Sequence, residues 1–138
     1  MDYLFVYGSM VSGGEHATLV ADAPLRVQAR SRGELYVLPG SRYPGLVEGA
    51  SWVQGELLGY DDLESKLAEL DRFEFADGEC YSRERRRVHR EGTGEVLVAW
   101  TYVCRPEYCA RLIAGGIHVR GGDWRAYLDN LKGSPRHR

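Results

Sequence analysis

The sequence is short of cysteine, of long apolar runs and of any surplus of one charge, and each shortage removes a class of protein. The three cysteines among 138 residues, Cys80, Cys104 and Cys109, are odd in number and form no CxxC pair. That argues against a disulfide framework and a structural zinc site, and it predicts a reducing, cytoplasmic setting. No apolar stretch approaches the ~20 residues that a membrane-spanning helix needs. The opening Met1-Asp2-Tyr3-Leu4-Phe5-Val6-Tyr7-Gly8 lacks the basic lead and longer apolar core of a signal peptide. A formal charge of −2 gives no global attraction to phosphate backbones or anionic membranes, so a polyanion would need a local patch. His16, His89, His118 and His137 lie at none of the HxH or i, i+4 spacings of metal sites, and no metal or cofactor is expected.

What is present reads as one folded domain. Apolar residues make up 43% and charged residues 28%, an ordinary globular balance, and no linker or repeat divides the chain. The expected domain covers residues 1–132, with 133–138 as a flexible tail. Glycine is the outlier at 17 of 138 residues, about 12% against a usual ~7%, which favours short strands and tight turns. Tyr3 to Tyr7 reads as a doubly buried strand stopped by Gly8, and Glu15 to Ala21 as a short helix ended by Pro24. Gly33 to Leu38, Gly45 to Val47 and Trp52 to Tyr60 read as separate strands divided by Pro39-Gly40 and Glu48-Gly49. Tyr81 to Arg90 and Val96 to Cys104 form a hairpin about Glu91-Gly92-Thr93-Gly94. Helices are expected at Pro106 to Ala114 and after Asp123, the latter carrying Trp124, Tyr127, Leu128 and Leu131.

The clearest helix begins at Asp61 or Asp62 and runs to about Phe73, with Leu63, Leu67 and Leu70 at i, i+4 and i+7. Four residues further, Glu74 falls on the same stripe, because eleven residues come close to three turns. If the helix reaches it, burial and the carbonyl end of the helix both disfavour its ionised form and move its pKa toward neutrality. If the helix stops at Asp71, Glu74 is a solvated loop residue or an arginine's partner.

Tyr7-Gly8-Ser9-Met10, leaving the first strand, is either a tight turn or a nest of amides able to hold an anion. Ser9 and Ser12 lack the flanking glycines of a nucleophile elbow, and Cys80 reads as apolar filler rather than a reactive thiol. Strand alternation puts Arg83, Arg85 and Arg87 on one face. Without interleaved aromatic residues, that run reads as a solvated edge, and nucleic-acid binding is not expected.

Several pieces taken in order carry a resemblance: Tyr7-Gly8-Ser9-Met10, Tyr43-Pro44-Gly45, Val53-Gln54-Gly55-Glu56-Leu57, Leu70-Asp71-Arg72-Phe73-Glu74, Tyr81-Ser82-Arg83, Trp100-Thr101-Tyr102 and Gly122-Asp123-Trp124. Together they span nearly the whole chain, which resembles the γ-glutamylcyclotransferase-like superfamily, in its AIG2-like and γ-glutamylamine cyclotransferase group. The resemblance implies an α+β fold, a small mixed β-barrel with a central cavity and a few flanking helices. It implies ring closure of a small-molecule γ-glutamyl substrate to 5-oxoproline with release of an amine or amino acid. Glu74 would be the acid/base, Tyr7, Gly8, Ser9 and Met10 would hold the γ-glutamyl end, and Tyr81 and Tyr102 would line the cavity. Met10 departs from the family's commoner leucine or asparagine, and Phe75 from its frequent glycine. The alternative is a cavity-bearing module that binds a small metabolite or partner protein without turnover.

Overall fold

The computed structural model describes residues 1–76, 78 and 80–133. The elements, in chain order, are β1 (Asp2–Val6), a 3-10 turn (Ala17–Val20), β2 (Leu25–Val37), β3 (Gly45–Tyr60), α1 (Leu63–Glu74), β4 (Tyr81–Arg90), β5 (Val96–Cys104), α2 (Pro106–Gly115), β6 (Ile117–His118) and α3 (Trp124–Gly133). The strands lie in the order β3-β1-β5-β4-β2, and a β2–β3 pairing closes the ring. The β1–β5 pair is parallel, with Leu4 opposite Trp100, and the other pairs around the ring are antiparallel. The expected mixed barrel with flanking helices is therefore present, and β6 adds to the outside of β2.

Of the two expected strand breaks, Pro39-Gly40 is present between β2 and β3 and the other is absent. Glu48-Gly49 does not end a strand, because β3 runs on to Tyr60. Glu34 pairs with Val47 and Arg32 with Trp52, so four residues of β3 stand against Gly33 alone. The bulge absorbs the polar residues without ending the ladder, and Gly33 takes φ +151°, where a side chain would be strained. The first half of β2 also escapes a reading by pattern, since its inward residues Ala29 and Ser31 are small or polar. Instead of the helix at Glu15 to Ala21 there is only the 3-10 turn, too short to develop an apolar face. The described part of α3 extends to Gly133, where the tail was expected to begin, and 134–138 lie outside the described residues.

Alternation sorts the core into layers. Phe5, Leu57, Val53, Val88 and Ala99 point into the barrel. Leu4, Val6 and Leu58 point outward, where Leu63, Leu67 and Leu70 of α1 cover them. Each buried leucine contributes about 2 kcal/mol, so the three-leucine stripe is enough to fix α1 on the strands that carry β1 and its loop. Tyr108 and Leu112 of α2 cap Val47 and Cys104.

Candidate active site

Helix α1 settles the first of the two readings of Glu74. Asp62 caps it, accepting from Ser65 N at 3.2 Å, and Glu74 is its last residue, followed by the bond from Phe75 N–H to Asp71 O at 2.9 Å. Because the leucine stripe faces the barrel, Glu74 is carried to the end of β1. Its pKa is pushed up to about 7, first by burial and then by the negative charge of Asp71 one turn earlier. No hydrogen bond or ion pair holds the Glu74 carboxyl among the described residues, so nothing there offsets the burial.

Asp71 is the opposite case. Burial pushes its pKa up, but hydrogen bonds from Arg83 and Tyr102 and the guanidinium charge outweigh burial and hold it below the usual range. Arg83 Nε and NH2 bind its two oxygens at 2.9 and 3.0 Å, and the Tyr102 hydroxyl donates to it at 2.6 Å. Two carboxylates on one helix end are thus driven apart, one fixed as an anion and one poised near neutrality.

Glu74 lines one cleft together with all the other residues singled out from the sequence: Tyr7, Gly8, Ser9, Met10, Tyr81 and Tyr102. The space between these walls is about 400 Å³ with the part open to solvent included, and only about 40 Å³ of it is cavity proper. Val11, Gly14 and His16 donate their N–H groups to loop carbonyls. Among the described residues Gly8, Ser9 and Met10 donate to no backbone acceptor, which leaves three amides of the loop for a ligand. Close approach explains the glycine, since a Cβ on Gly8 would stand 3.1 Å from Pro44 Cγ.

The tyrosine hydroxyls are already engaged. That of Tyr7 donates to Tyr102 O at 2.7 Å and accepts from Leu46 N at 3.1 Å, tying the loop to β5 and β3. Burial, with Cys104 and Glu74 nearby, raises its pKa well above the ordinary value. The Tyr81 hydroxyl donates to Pro44 O at 3.1 Å, and burial raises its pKa too. These phenols are therefore neutral walls and braces. A second hollow shares Tyr43, Glu74 and Tyr81 with the cleft and continues past Phe73, Cys80 and Tyr108.

Three contributors had no signal in sequence pattern. Glu56, 4% exposed, accepts from Arg26 NH1 at 2.6 Å and from Ser12 N at 3.0 Å, pinning the far side of the loop. His16 Nδ1 lies 3.2 Å from Ser9 Oγ, with its ring against Phe73 and Tyr43. The Asp71–Arg83 pair joins residues 12 positions apart. Glu56, Asp71 and Arg83 stand inside the quoted motifs, but only folding shows what they touch. Among the described residues no group of three or more His, Cys, Asp or Glu side chains is arranged to hold a metal, and no helix is long and apolar enough to cross a membrane.

The fold and cleft define a small closed mixed barrel with one neutral-range carboxyl facing a glycine turn. The family model described as gamma-glutamyl cyclotransferase, AIG2-like, matches residues 4–126, and the chain belongs to that family. It is 29% identical over 131 residues to the gamma-L-glutamyl-butirosin B gamma-glutamyl cyclotransferase of Niallia circulans, covering 92% of this chain and 78% of that one. YkqA of Bacillus subtilis shares the fold at TM-score 0.72 and 22% identity, over 96% of this chain but only 43% of that one. A mouse AIG2-like protein does so at TM-score 0.65 and 22% identity, over 79% of this chain and 82% of that one.

Proposed function

We propose that this chain is a γ-glutamyl cyclotransferase in which Glu74 moves the protons. The observation that carries the reading is that Glu74, partly buried and without a hydrogen-bond partner among the described residues, lines the same cleft as Gly8, Ser9 and Met10, whose amides donate to no backbone acceptor there. A γ-glutamyl compound would bind with its γ-carbonyl toward the loop. The Glu74 carboxylate takes a proton from the α-ammonium, and the freed amine attacks the γ-carbon. The carbonyl becomes an oxyanion that the loop amides can stabilise. When the bond to the leaving nitrogen breaks, Glu74 returns the proton to that nitrogen, and the ring nitrogen gives up its remaining extra proton to solvent or to the released amine, which departs as an ammonium. The products are 5-oxoproline and an amine or amino acid. No water is consumed, and the five-membered closure supplies much of the rate by proximity. A group with a pKa near neutrality can both accept and return a proton efficiently.

The test is release of 5-oxoproline from a panel of γ-glutamyl amines, amino acids and larger conjugates. Release by the natural chain and its loss in Glu74→Gln would support the assignment. Equal turnover by the two proteins would remove Glu74 from the mechanism. Saturable binding without turnover across the panel would replace the enzyme reading with that of a binding module.

A further inference from the structure

The outer face of the barrel carries a feature that the cyclotransferase chemistry does not use. Residues opposite one another in a ladder share a face, so Arg32 stands beside Trp52, Arg30 beside His89, Arg87 beside Val98, and Arg85 beside Trp100. Arg30, Arg32, Arg85 and Arg87 are all exposed. None of the four has a carboxylate within ion-pair distance among the described residues, although Asp2, Glu64 and Asp71 border hollows with Arg85. The charges interleaved along β4 are sorted away, because Glu84 and Arg86 point to the other side, where Arg86 meets Glu48 at 2.6 Å. A chain of net charge −2 thus gathers four unpaired cations on one sheet surface.

Tryptophans that sequence order does not interleave with these arginines are brought to them by the strand pairing. Arg30 and Arg32 lie over the Trp52 ring, 4.1 and 3.7 Å from its centroid. Arg83 and Arg85 lie over Trp100 at 4.7 and 5.0 Å. A guanidinium held over an indole loses less freedom on binding and keeps N–H groups for a phosphate, although Arg32 already gives one of its own to the Ala50 carbonyl at 2.9 Å. Val96 and Val98 of β5, 50% and 56% exposed, add apolar surface on the far side of the β4 arginines.

We propose that this outer face of β2, β4 and β5 binds single-stranded nucleic acid, independently of the cleft chemistry. Four guanidiniums with no carboxylate partner suit a phosphodiester chain, and the exposed valines and the arginines lying over Trp52 and Trp100 suit unpaired bases, which a duplex would hide. A protein partner of acidic character would satisfy the charges but leave the exposed valines and the arginine–tryptophan contacts without a role.

Anisotropy of a labelled 12-nucleotide RNA of mixed sequence, titrated with the full chain, tests this. Contacts to four phosphates give a slope of about −0.7 per contact, so affinity should fall roughly 50-fold between 50 and 200 mM salt. Combined R30Q, R32Q, R85Q and R87Q should abolish binding, with an unchanged far-UV spectrum and melting curve as the check on folding. A control set on other exposed arginines, R72Q, R111Q and R120Q, should bind as the natural chain does. No binding at 50 mM salt, binding that ignores salt, equal loss in both sets, or equal affinity for polyglutamate or duplex would each overturn the proposal.

Discussion

Replacing Glu74 by glutamine should make the protein more stable and, under the proposed chemistry, inactive. The folded carboxyl has a pKa of about 7 against an ordinary 4.5. Between those values the unfolded chain has released a proton that the folded chain keeps, so stability falls as pH rises through this window. The difference of about 2.5 units corresponds to roughly 3 kcal/mol at 1.36 kcal/mol per unit. That is an upper bound, because the carboxyl still meets the solvent of the cleft. Glutamine keeps the size of the protonated acid and never ionises. At pH 4 the two proteins should therefore melt together, and at pH 8 Glu74→Gln should melt higher by up to roughly 10 °C for a chain of this size. Melting curves from pH 4 to 9, paired with 5-oxoproline release at each pH, separate the claims. A melting difference that does not grow between pH 5 and 8 would refute the raised pKa, and release that persists in the variant would refute the proton shuttle.

Other perturbations have equally definite outcomes. The acidic limb of the kcat/KM profile should fall near pH 7, and Asp71→Asn should move it lower by the smaller part of the displacement, since burial is the larger cause; an unmoved limb would show that Asp71 is not felt at Glu74. Tyr7→Phe should cost about 1–3 kcal/mol in a denaturant titration, because it leaves the buried Leu46 N–H and Tyr102 carbonyl without their phenol partner. Gly8→Ala should raise KM more than it lowers stability, since its Cβ meets Pro44 Cγ at 3.1 Å and pushes the loop from its seat; unchanged kinetics would show that the loop does not hold substrate.

Legibility in the sequence followed the range of the interaction. The body of α1 was readable because a leucine stripe and an N-cap are set within a few residues, though not its reach to Glu74, and the β4–β5 hairpin because its turn glycines are local too. The β2–β3 ladder was cut into pieces in sequence because a bulge is tolerated by the partner strand, which Glu48-Gly49 alone cannot reveal. Of the cleft, the individual residues were named in advance, but the role of Asp71 was not, since it depends on an arginine 12 positions away.

By itself the sequence determined the α+β composition, the helix to about Phe73, the glycine turn after β1 and, through its ordered motifs, the likeness to the cyclotransferases. Only the tertiary structure decided that these pieces meet in one cleft and that Asp71 is ionised while Glu74 hovers near neutrality. It also decided that Trp52 and Trp100 lie under the arginines of β2 and β4. The physical reason is common to all three. Burial, charge proximity and stacking depend on distances through space, and strand pairing brings together residues whose separation along the chain carries no trace of that contact.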